Sequence, residues 1–444
     1  MYEKEEEKLV ELRKQLDHVT IPSEQLDGAI LQGFERAKRE QMKKRKGRIR
    51  KYGMLAATAL LLVTLVTTIR ISPTFANAVS SIPGLEKIVA MIHYDKGLTA
   101  AIENDYFQEI NASQTKGNLT LIIDGVILDE SGMNVFYTAK SDDTLKSAQI
   151  QNVELRNAEI GPSSSNHGMW HEDQAIKEFS NRIDFHFEES TKLNDLTFSL
   201  IMTINEAGKD IEFIIPFTVP ENVKPSHKFL LNREVEIENQ KFTIEEVTIH
   251  PLRIDVRISI NLNNSKKILQ FPDIRLEDEN GEVWGSSLSG ISGRGVGELE
   301  QIIFLQSNYF EKPKELYLRI NKLQALNKDE ATVIIDTEKN ILLNSPSDGR
   351  LKLAESNKSH VDLFLTQAEV DEHFSFTTYK IEDANGKLIR SPSSSMQYDS
   401  GKMESHLVFD LETTDYKNPL HLEIDAYPNY IEGNAKIELK KPIK

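Results

Sequence analysis

Few residues in this chain are spaced to do chemistry. His167 and His171 stand four apart and are followed at once by Glu172 and Asp173. On one turn of a helix such a set could converge on a divalent cation. The stretch opens Gly161-Pro162-Ser163-Ser164-Ser165, however, and reads as a solvated surface loop. Gly285, Gly290, Gly293, Gly295 and Gly297 have the look of a phosphate-cradling loop. They lack a Gly-Lys-Ser/Thr ending and run into a strand-like segment at 299–305, where a phosphate site needs a helix N-terminus. A long hairpin loop is therefore expected. The absence of cysteine removes disulfides, thiolate nucleophiles and Cys-based zinc or iron–sulfur centres. Neither Gly-x-Ser-x-Gly nor His-Glu-x-x-His occurs, and loose carboxylate pairs carry no information in so acidic a chain. The reading is of a protein that is not an enzyme, with no catalytic residue, no cofactor and no metal.

The elements that position these residues follow from length and charge. A chain of 444 residues accommodates about two to four folded units. An apolar fraction of 39% suffices for globular cores, while 27% charged residues and a mean hydropathy of −0.41 exclude a polytopic membrane protein. The net charge of −16 is uneven. Residues 1–51 hold 14 basic and 10 acidic residues, and the remainder holds 39 and 59. An acidic body of that kind repels phosphate, so direct nucleic-acid binding is not expected.

The basic excess lies at Lys43, Lys44, Arg45, Lys46, Arg48, Arg50 and Lys51. An uncharged run, MLAATALLLVTLVTTI, follows at 54–69, and its only polar residues are threonines, whose hydroxyls can bond back to the helix. Extended to 52–71 it spans about 20 residues, or roughly 30 Å of helix, enough to cross a bilayer. The basic tract before it then places the N-terminus in the cytoplasm and the bulk of the chain outside, in a single-pass cell-membrane protein. Three rival readings fit less well. A buried core helix would not be apolar on every side. A cleaved signal, suggested by Ala76-Asn77-Ala78, would need an unusually long basic region. A nucleic-acid role for the basic cluster is disfavoured by its place beside the span.

Two amphipathic helices fit the cytoplasmic segment, residues 1–51. The first carries Leu9, Leu12, Leu16 and Val19; the second carries Leu26, Ala29, Ile30, Phe34 and Ala37. Thr20-Ile21-Pro22-Ser23 separates them. Fifty residues with one apolar stripe each do not make a self-sufficient core. The stripes either fold on each other or on lipid as an anchor, or dock into a groove on a partner.

Residues 72–110 read as a helical neck, with Ile82-Pro83-Gly84-Leu85 as a turn and Ile88, Val89, Ile92, Leu98, Ala101 and Ile102 at helical spacing. From Asn118 the period becomes two, as in Leu119, Leu121, Ile123 and in Phe198, Leu200, Met202. This pattern predicts a mainly β fold of two or three antiparallel β-sandwich, immunoglobulin-like extracellular units. The units are expected at 111–220, at 225–340 after a proline-bearing linker (219–225), and at 345–444 as a third unit or closing lobe. Val333, Ile334 and Ile335 are read as closing the second.

The stretch after the span adds a resemblance. Ser72-Pro73-Thr74-Phe75-Ala76, Ile82-Pro83-Gly84-Leu85, Tyr94-Asp95-Lys96-Gly97 and Ala101-Ile102-Glu103-Asn104-Asp105-Tyr106 resemble an uncharacterised DUF-type ectodomain of Bacillus-like Firmicutes. The likeness covers roughly residues 20–220, and the part beginning near Pro225 resembles an immunoglobulin-like domain often found behind it. Such proteins are taken to be membrane-bound anti-sigma factors. The resemblance thus implies that the N-terminal helices hold an extracytoplasmic-function sigma factor while the β-units sense the envelope through an unknown ligand or protein. It carries over no residue-level detail; the contacts expected from the apolar stripes are Leu9, Leu12, Leu16, Leu26, Ile30 and Phe34. The zinc motif of one anti-sigma class is absent, so any such binding would be metal-free. A membrane-anchored structural or adhesive surface protein is the alternative.

Overall fold

The computed structural model describes residues 3–17, 85–440 and 442, apart from 93, 146–147, 162, 168–175, 189, 207, 221–222, 286–291, 298, 368–375 and 400–401. The chain divides into two compact units, Met1–Pro73 and Thr74–Lys444. In the first unit the described element is helix α1 (Glu3–Asp17). Its acidic opening and Lys14 in its last turn complement the helix dipole. The expected second cytoplasmic helix, the basic tract and the span at 52–71 lie outside the described residues. Among the described residues no helix is long and apolar enough to cross a membrane.

The second unit is mainly β and its sheets are antiparallel. It opens with two short helices, α2 (Leu85–Ile92) and α3 (Lys96–Glu103). Asp95 caps α3 by accepting from the Leu98 amide at 3.0 Å, which satisfies one of the free N–H groups of the first turn.

A first lobe follows. One sheet has the order β1 (Gln108–Lys116), β2 (Leu119–Asp129), β3 (Gly132–Leu145), β6 (Ile176–Phe187), β5 (Ser163–His167). The facing sheet has the order β4 (Gln149–Arg156), β7 (Thr197–Glu206), β8 (Lys209–Thr218). Alternate residues of both enclose one core, with Leu121, Ile123, Val135 and Phe185 opposite Leu200, Met202, Phe213 and Ile215.

A bulge redirects one end of this sheet. Register with β3 shifts between Ile123 and Gly125, so Asp124 is the extra residue. Leu119, Leu121 and Ile123 face the core before it, and Val126 and Leu128 after it. Ile127 therefore points to the opposite face, which Phe136 of β3 shares, and both pack with Ile88, Ile92, Leu98, Ala101 and Ile102 of α2 and α3. Rather than standing apart as a neck, residues 85–103 cover the outside of the first lobe. Gly125 leaves room for the Phe107 ring, since a Cβ there would lie 2.2 Å from Phe107 Cζ.

The second lobe has one sheet in the order β14 (Ser292–Gly295), β15 (Glu300–Gln306), β11 (Arg253–Ile260), β10 (Gln240–Ile249), β9 (His227–Ile237). The other runs β13 (Val283–Trp284), β12 (Lys266–Asp278), β16 (Leu316–Asn327), β25 (Tyr430–Glu438). The last strand returns to complete this lobe and contributes Ile431 and Ile437 to its core.

Between β16 and β25 lies the third lobe. Its sheets are β18 (Ile341–Asn344), β17 (Thr332–Asp336), β24 (Leu420–Ala426), β21 (Thr377–Glu382), and β19 (Leu351–Asn357), β20 (His360–Thr366), β23 (Glu404–Asp410), β22 (Ser393–Asp399). This corrects the expected division near 340–345. Val333 and Ile335 are fully buried in the third core, because β17 pairs with β24. Asp348, within the expected boundary, accepts from the Tyr427 hydroxyl at 2.6 Å and so belongs inside the third lobe. The third lobe is thus an insertion into the second.

Candidate functional site

Two places in the molecule are candidate sites. The first is α1, where Leu9 and Leu12 stand one turn apart with 65% and 56% of their surface exposed; Val10 beside them is 57% exposed. Within the described residues of the first unit, that apolar surface is uncovered. Leu16 lies on the same helix. Leu26, Ile30, Phe34 and the basic residues Lys43, Lys44, Arg45, Lys46, Arg48, Arg50 and Lys51 lie outside the described residues.

Among the described residues, the structure does not gather the sequence's chemical candidates into one site. His167 ends strand β5, paired with Ile183 of β6, where a loop was expected; His171, Glu172 and Asp173 lie outside the described residues. Gly293 and Gly295 form the edge strand β14 against β15, so the glycine-rich stretch is the arm of a hairpin. Gly290 lies outside the described residues.

The second place, which sequence reasoning missed, is the junction between the first and second lobes. In β6, Ile183, Phe185 and Phe187 fill the core, so Arg182, Asp184 and His186 share the outer face. In β11, Ile254, Val256 and Ile258 fill the second core, leaving Arg253, Asp255 and Arg257 outward. On a free sheet both rows would be solvated; here the two outer faces meet.

Arg253 organises the contact. Its Nε is 2.7 Å from Asp255 Oδ1, its guanidinium lies 4.1 Å from the centre of the Phe304 ring, and its Nη1 meets Nδ1 of His186. An arginine only donates, so His186 Nδ1 accepts and its proton resides on Nε2. The His186 ring also stacks on Phe304 at 5.3 Å between centroids. Asp184 accepts from Arg182 Nη2 at 2.9 Å and from Asn134 at 2.8 Å. His250 is fully buried, with Nε2 3.8 Å from Asp255 Oδ2 and no hydrogen bond from either ring nitrogen among the described residues.

The protonation states follow from this packing. Burial, reinforced by the Arg253 charge, lowers the His186 pKa to about 4. Burial raises the carboxyl of Asp184 against the pull of Arg182, and it raises Asp95 as well. Burial would also raise Asp255, but Arg253 and His250 outweigh it and the carboxyl is held below its ordinary value.

Fixed hydrogen bonds surround this cluster. The Tyr106 hydroxyl donates to Leu128 O at 2.7 Å and accepts from the Lys224 amide at 3.1 Å. Glu130 accepts from Ser226 Oγ at 2.7 Å, and the Tyr309 hydroxyl donates to Pro225 O at 2.9 Å. The linker foreseen at 219–225 is therefore pinned to both lobes. The helix α3 joins them too: a Cβ on Gly97 would sit 2.7 Å from the Ser307 amide nitrogen, so helix and second lobe touch backbone to backbone.

Comparison with known proteins places two family models on the chain. Residues 44–141 match a domain of unknown function (DUF4179), covering the basic tract, the apolar run, α2, α3 and most of β1–β3. Residues 226–354 match a family of unknown function (DUF5643), covering the second lobe up to the inserted third and its first strands. No curated protein matches. Among solved structures, the chain is similar to one described as the crystal structure of the conserved domain protein from Bacillus anthracis, at 13% identity. That match covers 54% of this chain and 84% of the other, with a TM-score of 0.38.

Proposed function

We propose that this chain is a single-pass membrane regulator, an anti-sigma factor that holds an extracytoplasmic-function sigma factor at the cytoplasmic face. In this reading the β-lobes lie outside the membrane as immunoglobulin-like units and sense the cell envelope. The observation that carries it is the uncovered pair Leu9 and Leu12 on α1, ahead of the basic tract and the apolar run at 54–69. A helix that docks in a groove requires such an exposed leucine stripe, and α1 offers one. Docking uses no catalytic residue, metal or cofactor. Deleting the gene in the native cell raises transcription from the promoters of one alternative sigma factor; unchanged transcripts contradict the proposal.

A second reading is favoured by β22, whose seven side chains are all exposed on an edge strand of the third lobe. Such a strand suits a structural or adhesive surface protein that needs residues 1–51 only for anchorage. Replacing residues 1–40 by an unrelated soluble segment leaves function intact in that case and abolishes it in the first.

A further inference from the structure

We propose that the contact between His186 and Arg253 is an acid-responsive latch, and that protonation of the His186 ring parts the outer faces of the first and second lobes. This inference does not depend on the sigma-factor reading. It rests on the direction of one hydrogen bond. Nδ1 of His186 serves as the acceptor for Arg253, so a proton added there sets two donors and two positive charges against each other.

Arg253 is not free to turn aside. Asp255 holds it at 2.7 Å, and its guanidinium carbon lies over the Phe304 ring, 4.1 Å from the ring centre. The Asp255 charge favours the imidazolium, but that carboxylate is paired with Arg253, and burial and the Arg253 charge outweigh it. On β6 the neighbours are Arg182 and Asp184, and both oxygens of Asp184 are engaged by Arg182 and Asn134. On β11 they are Arg253 and Asp255, and the preceding turn adds His250. Strand β14 adds Arg294, whose charge disfavours the imidazolium further, and the cap of α3 adds Asp95 beside Arg182 and Asp184. The turn after β2 supplies Asp129 and Glu130, which are occupied by the Leu252 amide and by Ser226. Asp184 and Asp95, both raised by burial, take up protons in the closed form and so oppose the opening that protonation of His186 drives.

With His186 at about 4 in the closed form and at the ordinary 6.5 once exposed, its protonation raises the open-to-closed ratio about twentyfold between neutral pH and pH 5. The limit at lower pH is about 300-fold.

The chain has no native cysteine, so Lys209→Cys in the first lobe and Glu236→Cys in the second give unique sites for spin labels on the full chain. Pulsed electron–electron distance measurements from pH 7.5 to 4.5 read the two lobes directly. The expected result is one distance at pH 7.5 and a longer one that grows as the pH falls below 6. His186→Gln keeps an acceptor for Arg253 but takes up no proton, and it holds the short distance throughout; His250→Gln opens as the parent does. The proposal is overturned if the parent distance is constant to pH 4.5, if His186→Gln opens like the parent, or if His250→Gln abolishes opening. The parent titration decides the matter by itself should His186→Gln not fold.

Discussion

The Leu252 amide of the second lobe donates to Oδ2 of Asp129 in the first, at 2.7 Å. Asp129 is fully buried, and its other oxygen accepts from the Ser131 amide and hydroxyl, each at 2.7 Å, and from the Gly132 amide at 3.1 Å. One carboxylate thus closes the turn between β2 and β3 and bonds the neighbouring lobe. Buried charge is tolerated only when its acceptor sites are filled, and here donors from two lobes fill them.

Asp129→Ala leaves three amides and a hydroxyl without their acceptor. It is expected to destabilise the fold by about 3 kcal/mol. Asp129→Asn turns a donor toward these donors and costs about 2 kcal/mol. Urea unfolding of the full chain checks both, and an effect within 0.5 kcal/mol, about that of an ordinary surface substitution, contradicts the assigned role.

Gly97→Ala tests the seat of α3. Alanine favours a helix over glycine by about 1 kcal/mol. The new Cβ would lie 2.7 Å from Ser307 N and 2.9 Å from Ser307 O, both backbone atoms that cannot swing away. The clash outweighs the propensity, and a net loss of about 1–3 kcal/mol is expected in thermal or urea unfolding. A gain in stability refutes the close approach.

The acid dependence of stability has a definite sign. The folded His186 pKa, about 4, lies below its unfolded value. Its contribution is complete above about 6.5 and is lost as the pH falls toward 4. Asp184 and Asp95 act oppositely: their folded pKa values are raised, so protonating them favours the folded state as the pH falls. Between pH 7 and pH 5 the parent should therefore lose about 2 kcal/mol more than His186→Gln, measured as the difference in their urea unfolding free energies.

The strands were legible wherever one face met a core and the other met solvent. Ile254, Val256 and Ile258 alternate with Asp255 and Arg257, and β11 lies where that alternation puts it. The same rule concealed the junction. Arg182, Asp184 and His186 read as a solvated row, because period two does not distinguish a face open to water from one covered by another lobe. The bulge at Asp124 was hidden for a related reason: one extra residue reverses inside and outside along β2, so Ile127 leaves the core that the run Leu119, Leu121, Ile123 points to. The nesting of the third lobe depends on β25 pairing with β16 across about a hundred intervening residues, a long-range choice with no local signature. Of the candidate binding residues, Leu9 and Leu12 could be picked out from helical spacing alone, and they are exposed.

Arg253→Met should loosen the junction. It leaves Asp255 buried without its main cation and removes the donor to His186. Losing one member of a buried pair costs about 3–5 kcal/mol, read in urea unfolding of the full chain. A loss below 1 kcal/mol would mean that the two lobes are held together elsewhere.

The most direct test of the proposed function is recovery of the full chain from native membranes, with mass spectrometry of what accompanies it. The parent is expected to bring down one sigma subunit of RNA polymerase. A Leu9→Glu, Leu12→Glu variant, altered only on the exposed stripe of α1, should lose it while retaining folded β-lobes by circular dichroism. Failure of the parent to retain any sigma subunit, or equal retention by the variant, contradicts the role assigned to that helix.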